Sequence, residues 1–477
     1  MAERRWTPEQ KNAIMARDGA VLVSAAAGSG KTAVLVERVI QILTDKNRPC
    51  DADRLLVVTF TKAAAAEMKE RISTRISEML QLDPMNRNLQ RQQLLLSNAH
   101  ISTIHSFCNE LICENFFELD MSSEFRIADE NEMLLLKDEA MQIVLEKNYT
   151  QASSEFVQLL ETVNSGRDDK KLMETILTLY EFIRSHPFPE KWLEDKLEFY
   201  RDNEDVGGTI FAKLLLEYAN MALNHSVMLT KNSLKLIQEV EKIKLAYEET
   251  LLCDKTMLIE AQKVLKGSSW NEISSMLKQF KFATLKRLTG CSDDAIKKVV
   301  LQNRQEVKDI IKSLTKLFFV SEEQCQEDLE ILQPLMAELF SLVKVFSRQL
   351  DALKQEKNVV DFGDLEHLTL KLLVRQCGDS FEKTELAQDL SRQFDFVMVD
   401  EYQDTNEAQD MIFRALSDNE QNLFVVGDVK QSIYGFRQAM PEIFLRRKQR
   451  YELFDEQKVN YPAKIILDRN LEVAQAF

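Results

Sequence analysis

Between Ala20 and Thr32 the chain reads A-V-L-V-S-A-A-A-G-S-G-K-T. An apolar, strand-like run turns through small residues into Gly30-Lys31-Thr32 and then into a helical pattern. This order leaves the fold little choice, because a buried strand, a tight turn and a helix must follow one another directly. Backbone N–H groups can close around an anion only where side chains are small, and the N-terminal end of the next helix adds positive potential. Ala25, Ala26, Ala27, Gly28, Ser29, Gly30, Lys31 and Thr32 therefore read as a phosphate loop. The pattern G-x-x-x-x-G-K-[ST] is met except at its first position, where Ala25 replaces glycine, so the first turn must be one that an L-residue adopts. Lys31 is the residue to neutralise the β/γ-phosphates, and the Thr32 hydroxyl the one to bind Mg²⁺.

A second apolar run far down the chain, Phe396 to Asp404 (F-V-M-V-D-E-Y-Q-D), ends in paired carboxylates. Asp400 would hold the metal through water, and Glu401 would orient or deprotonate the hydrolytic water. Either element alone could be a Gly-rich turn before a core helix or an acidic helix cap. Together, in this order, they specify an NTPase motor with ATP and Mg²⁺ as its cofactors.

At 477 residues the chain is too long for one ordinary core, and about two to four domains are expected. No stretch approaches the roughly 18 apolar residues needed to span a bilayer. The start, Met1-Ala2-Glu3-Arg4-Arg5, leads into a polar segment rather than an apolar signal core, so a cytoplasmic protein without a membrane partner is expected. The seven cysteines are scattered and never spaced C-x-x-C, which suggests buried or idle thiols rather than a disulfide frame or a zinc site. A net charge of 61 − 77 = −16 argues on its face against a nucleic-acid partner. Acidic runs such as Glu322 to Asp328 place that charge on solvated helix faces, and a local basic and aromatic track remains compatible with it.

Up to about residue 110, apolar strand-like runs (Ala20–Ser24, Leu55–Phe60, His100–Thr103) alternate with helical patterns, the rhythm of a parallel α/β sheet. From Leu111 to about Asp361 long stretches with i, i+3, i+4 apolar spacing take over. The α/β rhythm returns at Phe396–Asp400 and Asn422–Gly427. The expected fold class is therefore α/β, a RecA-like P-loop NTPase sheet carrying a large all-helical insertion. The boundaries predicted are 1–110 and 361–463 for the two parts of the motor domain, 111–360 for the insertion, and 464–477 for the start of a second motor domain.

Further motifs resemble, in order and spacing, those of superfamily 1 helicases of the UvrD/PcrA/Rep and RecB type. Trp6-Thr7-Pro8-Glu9-Gln10 is similar to the Q motif, Thr59 to Met68 (T-F-T-K-A-A-A-A-E-M) to motif Ia, Ser102 to Cys108 (S-T-I-H-S-F-C) to the next DNA-contact motif, and Gly427 to Arg437 (G-D-V-K-Q-S-I-Y-G-F-R) to motif III. Phe125 to Glu130 with Glu132, Asp361 to Leu365 (D-F-G-D-L) and the pair Val429-Lys430 resemble the AddA (RexA) helicase–nuclease proteins in particular. The resemblance implies that Gln10 reads the adenine edge and that the motor moves 3′ to 5′. It also implies single-stranded DNA and duplex junctions as substrates, a nuclease partner of the AddB/RexB type, and a role in double-strand break repair and recombination.

A motor walking on single strands needs π surfaces for bases and polar groups for phosphates. Phe60, Tyr434 and Phe436 are the candidates for the first; Thr61, Thr103, His105 and Ser106 are the candidates for the second. The aromatics could equally be core residues, His105 a structural histidine, and Asp361, Phe362 and Asp364 capping and packing residues. Gln431, just after a strand and just before Tyr434 and Phe436, is placed to sense the γ-phosphate and relay nucleotide state to the bases. After motif III the family has a strand followed by Asn-Phe-Arg-Ser. Here Lys464–Leu467 supplies the strand but Asp468-Arg469-Asn470 runs into Leu471-Glu472-Val473. The expectation is thus the N-terminal half of a helicase, with an ATP-binding regulatory or structural module that does not unwind as the alternative.

Overall fold

The computed structural model describes residues 6–26, 28–164, 169–201, 206–288, 294–378, 380–432, 438–458 and 460–467. They fall into two compact units: residues 1–152, 164–192 and 342–477 form one, and residues 153–163 and 193–341 the other.

The first unit is built on a seven-stranded sheet. In chain order its strands are β1 (Val21–Ala25), β2 (Leu55–Thr59), β3 (His100–Thr103), β4 (Phe396–Val399), β5 (Leu423–Gly427), β6 (Glu452–Leu453) and β7 (Ala463–Leu467). Their order across the sheet is β6-β7-β1-β5-β4-β2-β3, and every neighbouring pair is parallel. Parallel strands need covered faces, which is why β1, β2, β4 and β5 are near-continuous apolar runs. Alternate residues feed two cores. Leu22, Leu56, Val397 and Val425 meet Phe107, Leu365, Phe413 and Phe444 on one face. Val21, Val57, Met398 and Phe424 meet Ile14, Val39 and Ile72 on the other.

The α/β sheet with helical insertion is as the sequence indicates. Strand β7 departs from that reading. Residues 464–477, expected to open a second motor domain, begin instead with a strand that pairs in parallel register with β1, Val21 opposite Ala463 and Ala25 opposite Leu467. Its alternating buried positions, Ala463, Ile465 and Leu467, complete the core of the first sheet. Residues 468–477 lie outside the described residues.

The helical unit is smaller than the 111–360 expected. Amphipathic spacing marks a helix but not the core its apolar face joins. The helices Glu130–Gln151 and Lys170–Ile183 belong to the sheet unit. Arg184, directly after the second of these, explains part of this: its guanidinium donates to Asp361 (3.0 Å) and Asp364 (2.9 Å). Those two carboxylates form a reciprocal capping box at the head of helix Phe362–Leu373, the capping role their sequence suggests. A Cβ on Gly363 would stand 2.6 Å from the Arg184 Nη2, so a side chain there would push the arginine away from its two carboxylates. Burial pushes the Asp364 carboxyl up, but the charges of Arg184 and Lys354 outweigh it and hold it at about 2.

In the second unit, helices Ile210–Leu236, Glu241–Gly267, Trp270–Gln279 and Asp294–Leu317 share a core of Leu223, Leu258, Trp270, Leu314 and Phe318. A buried Arg304–Asp254 pair (2.7 Å) is completed by Arg304 donating to the Ala283 carbonyl at 2.6 Å, so neither charge is left without hydrogen bonds. Among the described residues no helix is long and apolar enough to cross a membrane. Cys50 and Cys108 are buried free thiols.

Candidate active site

Because all seven strands run the same way, their C-terminal ends form one edge of the sheet, and ligands of open parallel sheets bind outside that edge. The segments Ala26–Gly30, Phe60–Thr61, Ile104–Ser106, Asp400–Glu401 and Asp428–Gln431 all follow strand ends there.

Ala25 is the last residue of β1 and extended, so this position needs no glycine and the departure from the usual phosphate-loop pattern costs nothing. Left-handed backbone occurs instead at Gly28 (φ 72°) and Gly30 (φ 81°), where glycine is required. Gly30 caps helix Lys31–Thr44 with no side-chain hydrogen bond, so the first-turn N–H groups face the edge as an anion site. Ser29 is buried and its Oγ has no hydrogen-bond partner. Ala27 lies outside the described residues. Gln10 is buried; its Oε1 accepts from the Thr7 backbone and its Nε2 donates to the Ser29 carbonyl, both at 3.0 Å. These two bonds use one N–H and one lone pair of that amide.

Lys31 joins the two halves of the site. Its Nζ donates to Glu401 Oε2 at 2.8 Å and to Gln431 Oε1 at 2.7 Å. Glu401 has a left-handed backbone (φ 50°), an uncommon conformation for a residue with a side chain. Its N–H donates to Asp400 Oδ1 at 3.0 Å. Asp400 is 8 % exposed. Burial, then the neighbouring Glu401 charge, pushes its carboxyl up to about 6 against the opposing Glu401 N–H and Lys31.

Thr32, in the first helical turn, and Asp400 fit a Mg²⁺ site. A buried carboxyl pushed up by burial and a like charge is a group that a divalent cation would return to its ionised form. Among the described residues no group of three or more His, Cys, Asp or Glu could hold a metal. Further ligands would therefore be phosphate oxygens and water, as Mg²⁺ prefers.

Gln403 escapes sequence reading altogether. Its buried side chain donates to Glu401 Oε2 (2.8 Å) and Asp404 Oδ2 (3.0 Å) and accepts from the Asp428 N–H (2.9 Å). A polar residue inside an otherwise apolar and acidic segment was the only available signal.

Farther along the edge, Thr61 caps helix Lys62–Leu82 and Thr103 caps helix Ile104–Glu114. The Thr103 hydroxyl is also hydrogen bonded to Ser106 Oγ at 2.9 Å and is largely buried. Both threonines thus spend their side chains on helix starts. Phosphate contacts would fall to the helix-start N–H groups, Ser106 and His105. Phe60 is half-buried. His105 Nε2 lies 3.0 Å from Glu366 Oε1 and its ring meets Phe362 edge-on at 5.3 Å. Tyr434 and Phe436 lie outside the described residues.

The family described as the UvrD/REP helicase N-terminal domain matches residues 6–452. Among curated relatives, an ATP-dependent helicase/nuclease subunit from Acetivibrio thermocellus is 41 % identical over 98 % of this chain and 38 % of its own length. The protein of the same name from Ruminiclostridium cellulolyticum is 38 % identical over 98 % of this chain and 38 % of its own. That from Anoxybacillus flavithermus is 40 % identical over 94 % and 38 %. The chain spans about two fifths of the length of these relatives.

Proposed function

The chain belongs to the UvrD/REP helicase family, and on that premise we propose that it is the ATP-binding half of a DNA helicase motor. The motor moves 3′ to 5′ on single-stranded DNA within an AddAB-type helicase–nuclease that processes double-strand breaks for repair and recombination. The name carried by its relatives, a helicase/nuclease subunit, supports assembly with a nuclease partner. The observation that carries the reading is the meeting of Lys31, Glu401 and Gln431, from three separate strand ends, within 2.8 Å.

ATP phosphates lie against the Gly28–Gly30 backbone and Lys31, and the adenine lies against Gln10. As the phosphates arrive, Lys31 exchanges Glu401 and Gln431 for phosphate oxygens. Glu401 is then free to take a proton from the attacking water, and Gln431 to hydrogen-bond the γ-phosphate. Thr32 and Asp400 are the residues that would hold Mg²⁺, which when bound would supply positive charge to the phosphate oxygens. Phe60, Tyr434 and Phe436 stack bases while the Thr61 and Thr103 helix starts, His105 and Ser106 meet the DNA backbone.

The test is ATP turnover with and without oligo(dT). Stimulation by the oligonucleotide is expected. A protein that binds ATP but whose turnover ignores DNA is a nucleotide-switched module and not a motor.

A further inference from the structure

Gln403 is 1 % exposed, and its amide has protein partners at both ends. The Nε2 donates to the same Glu401 oxygen that Lys31 holds, and also to Asp404. The Oε1 accepts from the backbone N–H of Asp428. The backbone leaves room for this amide only because residue 427 is glycine: a Cβ there would stand 2.5 Å from Gln403 Oε1 and 2.9 Å from Phe444.

Asp428 is the first residue of a compact turn. Its carbonyl accepts from the Gln431 N–H at 2.8 Å and its Oδ1 from the Lys430 N–H at 3.1 Å. Gln431 in turn reaches Lys31. These two hydrogen bonds brace the turn and link the position of Gln431 to that of Asp428. The side chain touching Asp428 also touches the carboxylate assigned to the water.

We propose that Gln403 is a positioning residue that ties Glu401 to the Asp428–Gln431 turn, so that the state of the turn sets where the carboxylate points. The inference rests on the motor reading above. It assigns Gln403 the step by which occupancy of the DNA edge next to the turn reaches the attacking water. A buried amide that merely filled space would have no special link to Glu401.

The experiment is a double-mutant cycle on ATP turnover and its stimulation by oligo(dT), with nucleotide affinity measured in parallel. Gln403→Met is expected to lower kcat about tenfold or more, leave KM within about twofold, and abolish most of the stimulation. In a Glu401→Gln background the same substitution is expected to cost nothing further, because the aim of a non-basic side chain no longer matters. A multiplicative loss in that background, or a Gln403→Met protein with wild-type kcat and stimulation, would overturn the proposal. Should the methionine variant fail to fold, Gln403→Ala replaces it in the cycle; it removes the donor to Glu401 and the acceptor for Asp428 together, and the same outcomes decide. A wild-type protein whose turnover ignores DNA is failure of the motor reading. A stimulated wild type matched by its Gln403 variants is failure of this inference alone.

Discussion

His105 Nε2 stands 3.0 Å from Oε1 of Glu366, and that buried carboxylate also accepts from Gln409 (2.7 Å) and Asn406 (3.3 Å). Asn406 and Gln409 lie at the head of the helix that follows Asp400 and Glu401, so one anion is shared between the proposed DNA edge and the carboxylate segment. Burial pushes Glu366 up, but the hydrogen bond and charge of His105, with both amides, hold it below its usual value.

His105→Ala is therefore expected to cost about 1–3 kcal/mol of stability without any DNA present, because it removes a partner from a buried carboxylate. Denaturant unfolding measures this. A stability unchanged within error would make the contact dispensable and leave His105 to DNA alone.

Lys31→Ala is expected to weaken ATP binding by about 1.5–3 kcal/mol, the range for a hydrogen bond to a charged group, or roughly ten- to hundredfold in Kd. Calorimetric titration is the check. Equal affinity for both proteins would remove Lys31 from the phosphate site.

Glu401→Gln separates binding from chemistry. Lys31 then gives up a weaker partner to reach the phosphates, so affinity is expected to hold or tighten. Turnover is expected to fall about 10²–10⁴-fold with the loss of the base. Parallel loss of affinity and rate would mark a structural carboxylate.

A pH dependence follows from His367, whose ring Nε2–H donates to the Arg184 carbonyl at 2.9 Å. Burial, then the Arg184 charge, pushes this imidazole from 6.5 down to about 4. Between those values the unfolded chain binds a proton that the folded chain refuses, so the contribution of this residue to stability rises with pH across the window, opposite in sign to that of Asp400, whose carboxyl is raised to about 6. The contribution is complete above pH 6.5 and is lost as pH falls towards 4, up to about 3 kcal/mol at about 1.4 kcal/mol per unit. Asp364, held at about 2 against 3.8, titrates below this range. The difference in urea midpoint between the wild type and His367→Gln, which retains a donor for the carbonyl, should grow from pH 4 to pH 7; a difference that does not change with pH would assign the effect elsewhere.

The Ala25–Thr32 turn and the Asp400–Glu401 pair could be picked out as candidates because their chemistry is written in consecutive residues. Gln403, Glu366 and Arg184 were not, since each matters through partners supplied by other segments. Strand β7 could be read as a strand, but no local pattern says which neighbour a buried parallel strand will choose. The helices Glu130–Gln151 and Lys170–Ile183 raise the same difficulty: an apolar stripe demands a core without naming it.

The placement of β7 beside β1 also has a mechanical meaning. The two strands end level, Leu467 opposite Ala25, and the Leu467 carbonyl accepts from the Ala26 N–H at 3.3 Å. Aligned parallel neighbours carry a lengthwise pull as shear over the whole ladder of evenly spaced bonds. Tension entering at Leu467 would therefore be delivered to Ala26, in the proposed phosphate loop. A tug on the chain and a nucleotide held as proposed would be felt through the same peptide group.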